Sequence, residues 1–168
     1  SGSKFGESER VLRINNLGSE DLKKDLALAK EIELDALLFS KIQSKEDVLE
    51  AVKLIEEVNP NLSLMIMIET PLSVLNIHEI CAASSKVEVV VVGSNKLANR
   101  LHIDIKKGSK AMFNYLSQIA LASKAYGKTV IDGPHFDVND EFACEDSTKD
   151  AFNLGFDGKS LIHPVQIE

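Results

Sequence analysis

Residues 62–69 read LSLMIMIE, and residues 87–96 read VEVVVVGSNK. Both runs are mostly continuous in apolar residues rather than alternating. A strand of that kind is buried on both faces, which calls for a parallel sheet covered by helices. Laid side by side as parallel strands, the two runs bring their C-terminal ends together. That is the layer where α/β folds place their chemistry. One run ends at Glu69 and the other runs into Lys96. A carboxylate there is a candidate metal ligand. A lysine beside it is either the carboxylate's ion-pair partner or a reactive amine.

Outward from these runs, strand and helix alternate along the chain. Residues 11–15 (VLRIN) and 36–42 (ALLFSKI) read as strands before them, and 129–132 and 160–162 as strands after them. Helices are expected over 19–32, 44–57, 74–83, 110–125 and 146–154. Ser19 and Ser44 can cap the first two. Leu22, Leu26, Ala29 and Ile32 share one face of the first helix, and Val48, Ala51, Val52 and Ile55 one face of the second. Pro60 stops the second helix because it cannot continue the hydrogen-bond ladder. Gly93 and Gly108 mark a connection from the fourth strand to the long helix that Gly127 ends. The repeated βα unit predicts a (β/α)8 TIM-type barrel. A full barrel takes about 250 residues and eight strands, so about six βα units make an incomplete one. A doubly wound open sheet is the alternative. No GxGxxG follows a strand, so a dinucleotide site has no support.

The 168 residues suffice for one domain with a sizeable core. Ser1-Gly2-Ser3 reads as a tag remnant, and residues 4–168 as that single domain. The formal net charge of −7 argues against nucleic-acid binding, since phosphate would be repelled overall. No apolar run approaches the roughly 20 residues that span a bilayer, so no membrane partner is expected. The N-terminus lacks a signal-peptide pattern. Cys81 and Cys144 form no CxxC and are expected as buried thiols in a reduced cytoplasm.

Several side chains could carry chemistry. Arg13, inside the first strand, can clamp a carboxylate or phosphate through two parallel hydrogen bonds, or sit in a salt bridge. Glu69 is costly to bury unless it meets a cation or a donor, and one carboxylate with waters and substrate oxygens makes a normal magnesium site. Its structural reading is a helix N-cap or ion-pair residue. Lys41, near the end of the second strand, and Lys96 with Arg100, Asn95 and Asn99 after the fourth could as well be solvated. Together Arg13, Lys41 and Lys96 would make the strand ends basic around Glu69, which suits an anionic ligand such as a carboxylate, phosphate or acyl-CoA. Asp132, at the end of the fifth strand, could be a ligand or base; Asp137 and Asp140 could also cap turns. His78, His102, His135 and His163 show no metal-ligand spacing. A histidine bonded to backbone before Pro164 is the structural reading of His163.

The ordered set VLRINN, FSKIQS, MIMIETPLSVLNIHEI, VVVGSNKLANRL, VIDGPHFDVND and GFDGKSLIHPVQIE resembles the citrate lyase beta subunit family, which includes malyl-CoA and citramalyl-CoA lyases. The resemblance covers nearly the whole chain. It implies a (β/α)8 barrel whose strand ends bind Mg2+ and an acyl-CoA thioester, and a carbon–carbon lyase that acts on the thioester of a hydroxy or keto acid. It implies a homo-oligomer as well. By the same resemblance Arg13 and Lys41 would hold substrate and Glu69 the metal, with no catalytic residue assigned.

The chain departs from the family pattern at chosen points. The family's second metal carboxylate, in G-x-x-D-L, falls on Gly93-Ser94-Asn95-Lys96-Leu97, so Lys96 stands at a metal-ligand position. That exchange alters the charge beside a metal by about two units. Ser40 and Gln43 replace the proline and glutamate of the family's Pro-Lys-Val-Glu segment. The resemblance also implies a preceding acidic strand and a C-terminal segment that reaches a neighbouring subunit with a catalytic acid. Two main readings follow. One is a lyase in which Glu69 holds magnesium. The other is a catalytically degenerate homologue with a binding or assembly role, its metal site lost through Lys96. A third has Lys96 as an amine nucleophile.

Overall fold

The structure is a computed structural model and describes residues 6–104 and 110–167. Its strands are β1 (Val11–Ile14), β2 (Ala36–Phe39), β3 (Ser63–Ile68), β4 (Val87–Val92), β5 (Thr129–Asp132) and β6 (Gly158–Lys159). Its helices are α1 (Leu22–Glu31), α2 (Lys45–Val58), α3 (Pro71–Leu75), α4 (Ile77–Ala82), α5 (Ser94–Leu101), α6 (Lys110–Ala125) and α7 (Glu141–Asn153). No helix among the described residues is long and apolar enough to cross a membrane.

All neighbouring strands pair in parallel, in the order β1-β2-β3-β4-β5-β6. A doubly wound sheet reverses its strand order partway, and this one never does. With right-handed crossovers, an unreversed order places every connecting helix on the same face. The fold is therefore the barrel type, represented by six of its strands.

Strand alternation divides the core accordingly. Leu37, Phe39, Leu64, Ile66, Ile68, Val90, Val92 and Val130 pack with Val48, Ala51, Ile55, Ile77, Ile80 and Ile119 from the helices. Ala36, Met65 and Val91 form a smaller cluster on the other face, with Leu38, Met67, Val89 and Ile131 against it. The charged residue within VEVVVV is explained by a register shift: Leu64 pairs with Val87 and Met65 with Val89. Glu88 is the extra residue of this bulge and points to solvent, while Val87 and Val90 both face the helices.

Helix α2 shows how local sequence and packing agree. Ser44 Oγ accepts from the Asp47 amide at 3.2 Å, and the Asp47 carboxylate accepts from the Ser44 amide at 3.1 Å. This reciprocal cap satisfies donors that the first helical turn cannot. Val48, Ala51 and Ile55 are fully buried on its inward face. Burying Val48 or Ile55 contributes about 1.5–3 kcal/mol each.

Five local expectations need correction. Ser19 does not cap the first helix, which starts at Leu22 after Asp21 with no side-chain cap bond. The expected helix over 74–83 is two short helices that meet at Asn76, whose Nδ2 donates to the Gln43 carbonyl at 2.8 Å. Residues 94–101, expected as a connection, form α5 because Leu97 and Ala98 are fully buried. His102 ends that helix in a left-handed conformation, with φ 57°. Gly108 lies outside the described residues. Helix α7 starts at Glu141 rather than 146, because Asp140 Oδ1 accepts from the Ala143 amide at 2.9 Å. The last strand is Gly158–Lys159 rather than 160–162. Asp157 fixes it there by accepting the Val130 amide at 2.8 Å and pairing with Lys124. Of the cysteines, Cys81 is buried and Cys144 only partly so, and both are free thiols.

Candidate functional site

Arg13 pairs in register with Leu38, Leu38 with Met65, and Met65 with Val89. Arg13 therefore stands on the helix-free face of the sheet. Glu69 directly follows β3, two residues beyond Met67, and alternation assigns it to the same face at the C-terminal rim. Thr70, not Glu69, caps α3 through a reciprocal bond with Ser73. The cap fixes the chain direction just past Glu69 and leaves its carboxylate for the rim.

Glu69 is only 1% exposed, and Lys96 Nζ lies 2.9 Å from its Oε2. The distance makes an ion pair, but the approach falls outside hydrogen-bond geometry, so neither carboxylate oxygen has a directed partner among the described residues. Lys96 is half exposed, so its ammonium keeps part of its hydration while the carboxylate has given up nearly all of its own. Gly93 makes the close packing feasible: a Cβ there would stand 2.5 Å from Glu69 Cβ and 3.1 Å from Oε2.

A cavity of about 400 Å³ opens at this rim, lined by Arg13, Ile14, Asn15, Asn16, Ser40, Lys41 and Lys96. The cations of β1, of the turn after β2 and of α5 thus meet around one space whose lining, among the described residues, holds no acid. Among the described residues, neither Arg13 nor Lys41 has an ion-pair partner. Lys41 adopts a left-handed conformation with φ 59°, which costs a non-glycine residue roughly 1–2 kcal/mol. Such strain concentrates at ligand-holding positions. Asn15 and Asn16 were not singled out by sequence reasoning, and Ser40 only as a departure from the family pattern. Their signal was position alone, since they follow Arg13 and precede Lys41 at strand ends. Asp25 holds Asn15 through both its amide, at 2.7 Å, and Nδ2, at 2.9 Å. Ser40 Oγ donates to Asn16 Oδ1 at 2.9 Å.

The remaining candidates are engaged elsewhere. Asp132 shares the helix-facing side of β5 with Val130 and pairs with Lys159 at 2.5 Å, both side chains being nearly buried. Lys159 carried no sequence signal because its partner is 27 residues away. Asp137 accepts from the Asn139 amide in a turn, and Asp140 caps α7. His78 meets the Tyr126 ring edge-on, with centroids 6.2 Å apart. His163 Nδ1 accepts from the Val165 amide at 3.3 Å, the backbone bond expected for it. His135 Nε2 is buried without a hydrogen-bond partner among the described residues. Arg100 is exposed in the last turn of α5, and Asn99 Nδ2 donates to Asn95 Oδ1 at 3.4 Å.

The donor set does not fit a divalent metal as arranged. Among the described residues no three His, Cys, Asp or Glu side chains converge. Glu69 Oε1 is an orphaned acceptor that a cation would satisfy, but the Lys96 ammonium already stands against Oε2. A divalent ion within a few ångströms of that ammonium would be repelled twice as strongly as a monovalent one.

Residues 3–164 match the family described as HpcH/HpaI aldolase/citrate lyase. A (3S)-malyl-CoA thioesterase of Cereibacter sphaeroides is 35% identical over 164 residues, which cover 98% of this chain and 56% of that relative. Citrate lyase subunit beta of Escherichia coli K12 is 28% identical over 172 residues, covering 98% of this chain and 57% of that relative. The chain thus spans little more than half the length of either. Among solved structures, RipC of Yersinia pestis superposes with a TM-score of 0.86 at 25% identity, covering 95% of this chain and 73% of that one. The citrate lyase beta subunit of M. tuberculosis complexed with oxaloacetate and magnesium gives 0.80 at 26% identity, covering 94% of this chain and 69% of that one.

Proposed function

This chain belongs to the HpcH/HpaI aldolase/citrate lyase family, and on that premise we propose that its basic rim takes a small hydroxy or keto acid, free or as the CoA thioester. The observation that carries this reading is the cavity lined by Arg13, Lys41 and Lys96 with no acid among the described lining residues. Arg13 would hold the substrate carboxylate through its planar fork, and Lys41 a further anionic group of the ligand. Support comes from relatives whose names concern a CoA thioester and whose structure holds oxaloacetate.

Within that class, the geometry favours a binding or assembly role over metal-assisted carbon–carbon cleavage. In such cleavage magnesium supplies a Lewis acid that polarises the oxygens of the acid. Among the described residues Glu69 would be its sole carboxylate, and Lys96 competes for it. The lyase reading draws on Arg13 and Glu69, retained at the family's positions, and on the Oε1 of Glu69, unpartnered among the described residues.

Calorimetric titration with Mg2+, followed by acetyl-CoA and oxaloacetate, tests both readings. We expect no micromolar Mg2+ binding by the unaltered chain and a gain of Mg2+ binding in Lys96→Asp. Micromolar Mg2+ binding together with acetyl-CoA release from malyl-CoA would establish the lyase reading instead. Sedimentation of the same sample reads the proposed homo-oligomer.

A further inference from the structure

We infer that Lys96 is a tethered cation that serves in place of a divalent metal, with Glu69 as its counter-ion rather than as a ligand-binding group. The inference rests on the proposed acid-binding rim and adds how that rim is charged. Three observations converge on it. Glu69 is buried, and among the described residues its carboxylate is met by one cation, Lys96 Nζ at 2.9 Å. Lys96 is half exposed and also lines the cavity that holds Arg13 and Lys41. It meets one oxygen of Glu69 at 2.9 Å, which occupies at most part of the ammonium's donor capacity. An ammonium has three donors, and a ligand carboxylate entering the cavity could accept from them.

The ligand class that fits is a short dicarboxylate or keto acid. One carboxylate would take the Arg13 fork, and the other oxygens would take Lys96 Nζ. The carboxylate of Glu69, held against Gly93, keeps the ammonium at the rim. On this arrangement the acid binds without any divalent ion. Glu69 then acts on affinity with a sign opposite to that of a metal ligand. Removing a metal ligand weakens binding of an acid that reaches the metal. Removing a counter-ion releases the ammonium's full charge to the acid.

Oxaloacetate is the probe, titrated calorimetrically into the intact chain in EDTA and again in millimolar Mg2+. We expect the same affinity in both buffers. Glu69→Gln should keep that affinity or raise it severalfold. Lys96→Gln should weaken it roughly tenfold or more, the loss of one hydrogen bond to a charged group. Because Lys96→Gln leaves a buried carboxylate unpaired, the double variant Glu69→Gln/Lys96→Gln removes both charges and should show the same weakening. Thermal unfolding of each variant establishes that it is folded. A tenfold gain in Mg2+, or a tenfold loss in Glu69→Gln, would overturn the tethered cation while leaving the acid-binding rim intact. Absence of binding to the unaltered chain in either buffer would overturn both.

Discussion

Gly93 shows how one missing side chain determines what another can do. Its backbone amide donates to the Ile68 carbonyl at 2.9 Å, so the two strands stay paired up to the rim. A Cβ at this position would lie 2.5 Å from Glu69 Cβ, closer than real Cβ contacts come, and Glu69 has no room to retreat at 1% exposure. We expect Gly93→Ala to cost about 1–3 kcal/mol, the range for overpacking a tight site. Urea unfolding followed by circular dichroism measures it, and an unchanged midpoint would mean that the strands separate easily. The residues that bear charge at the rim were legible because each lies within or just after an apolar run: Arg13, Lys41, Glu69 and Lys96. The neutral residues between them were not. Asn15 and Ser40 gain meaning only from partners at Asp25 and Asn16, which no spacing announces.

At the level of elements, long and strongly patterned segments were legible and short ones were not. Helix α2 had a capping serine, an apolar stripe and a proline stop, and it forms within a residue of expectation. Helix α5 has no side-chain cap and is polar apart from Leu97, Ala98 and Leu101, so only tertiary burial reveals it. The two-residue strand β6 is decided by a side chain outside it. The Lys124 side chain, and then the Val130 amide, hold the Asp157 carboxyl below its ordinary value of 3.8. A carboxyl whose pKa is lower in the folded state adds stability above its unfolded pKa, and that stability fades as pH falls through the folded value. Asp157→Asn should therefore be less stable than the unaltered chain by about 1 kcal/mol at pH 7, an amount kept small by solvent exposure of the pair. The two stabilities should converge as pH drops well below 3.8. A gap that persists unchanged in acid would place the effect in packing rather than charge.

At the scale of the molecule, the sheet order accounts for the fold. Consecutive strands are neighbours throughout, and each helix returns over the same face, so one large apolar cluster runs from Ile14 to Phe156. We propose on that basis that residues 4–168 behave as one domain. Far-ultraviolet and tyrosine signals should then follow a single urea transition with a common midpoint. Two separated transitions would divide the chain.

The unreversed strand order also turns position in the chain into length along the rim. Adjacent strands lie about 4.8 Å apart, so β1 and β3 are two steps, or roughly 10 Å, apart across the sheet. The rim is graduated like a ruler, with one mark per βα unit. An acid is then measured by how many marks its charged ends can touch at once. Shifting one cation to the next strand would re-space the marks by a single step, and preference among acids would move with carbon-chain length while the total charge stayed the same.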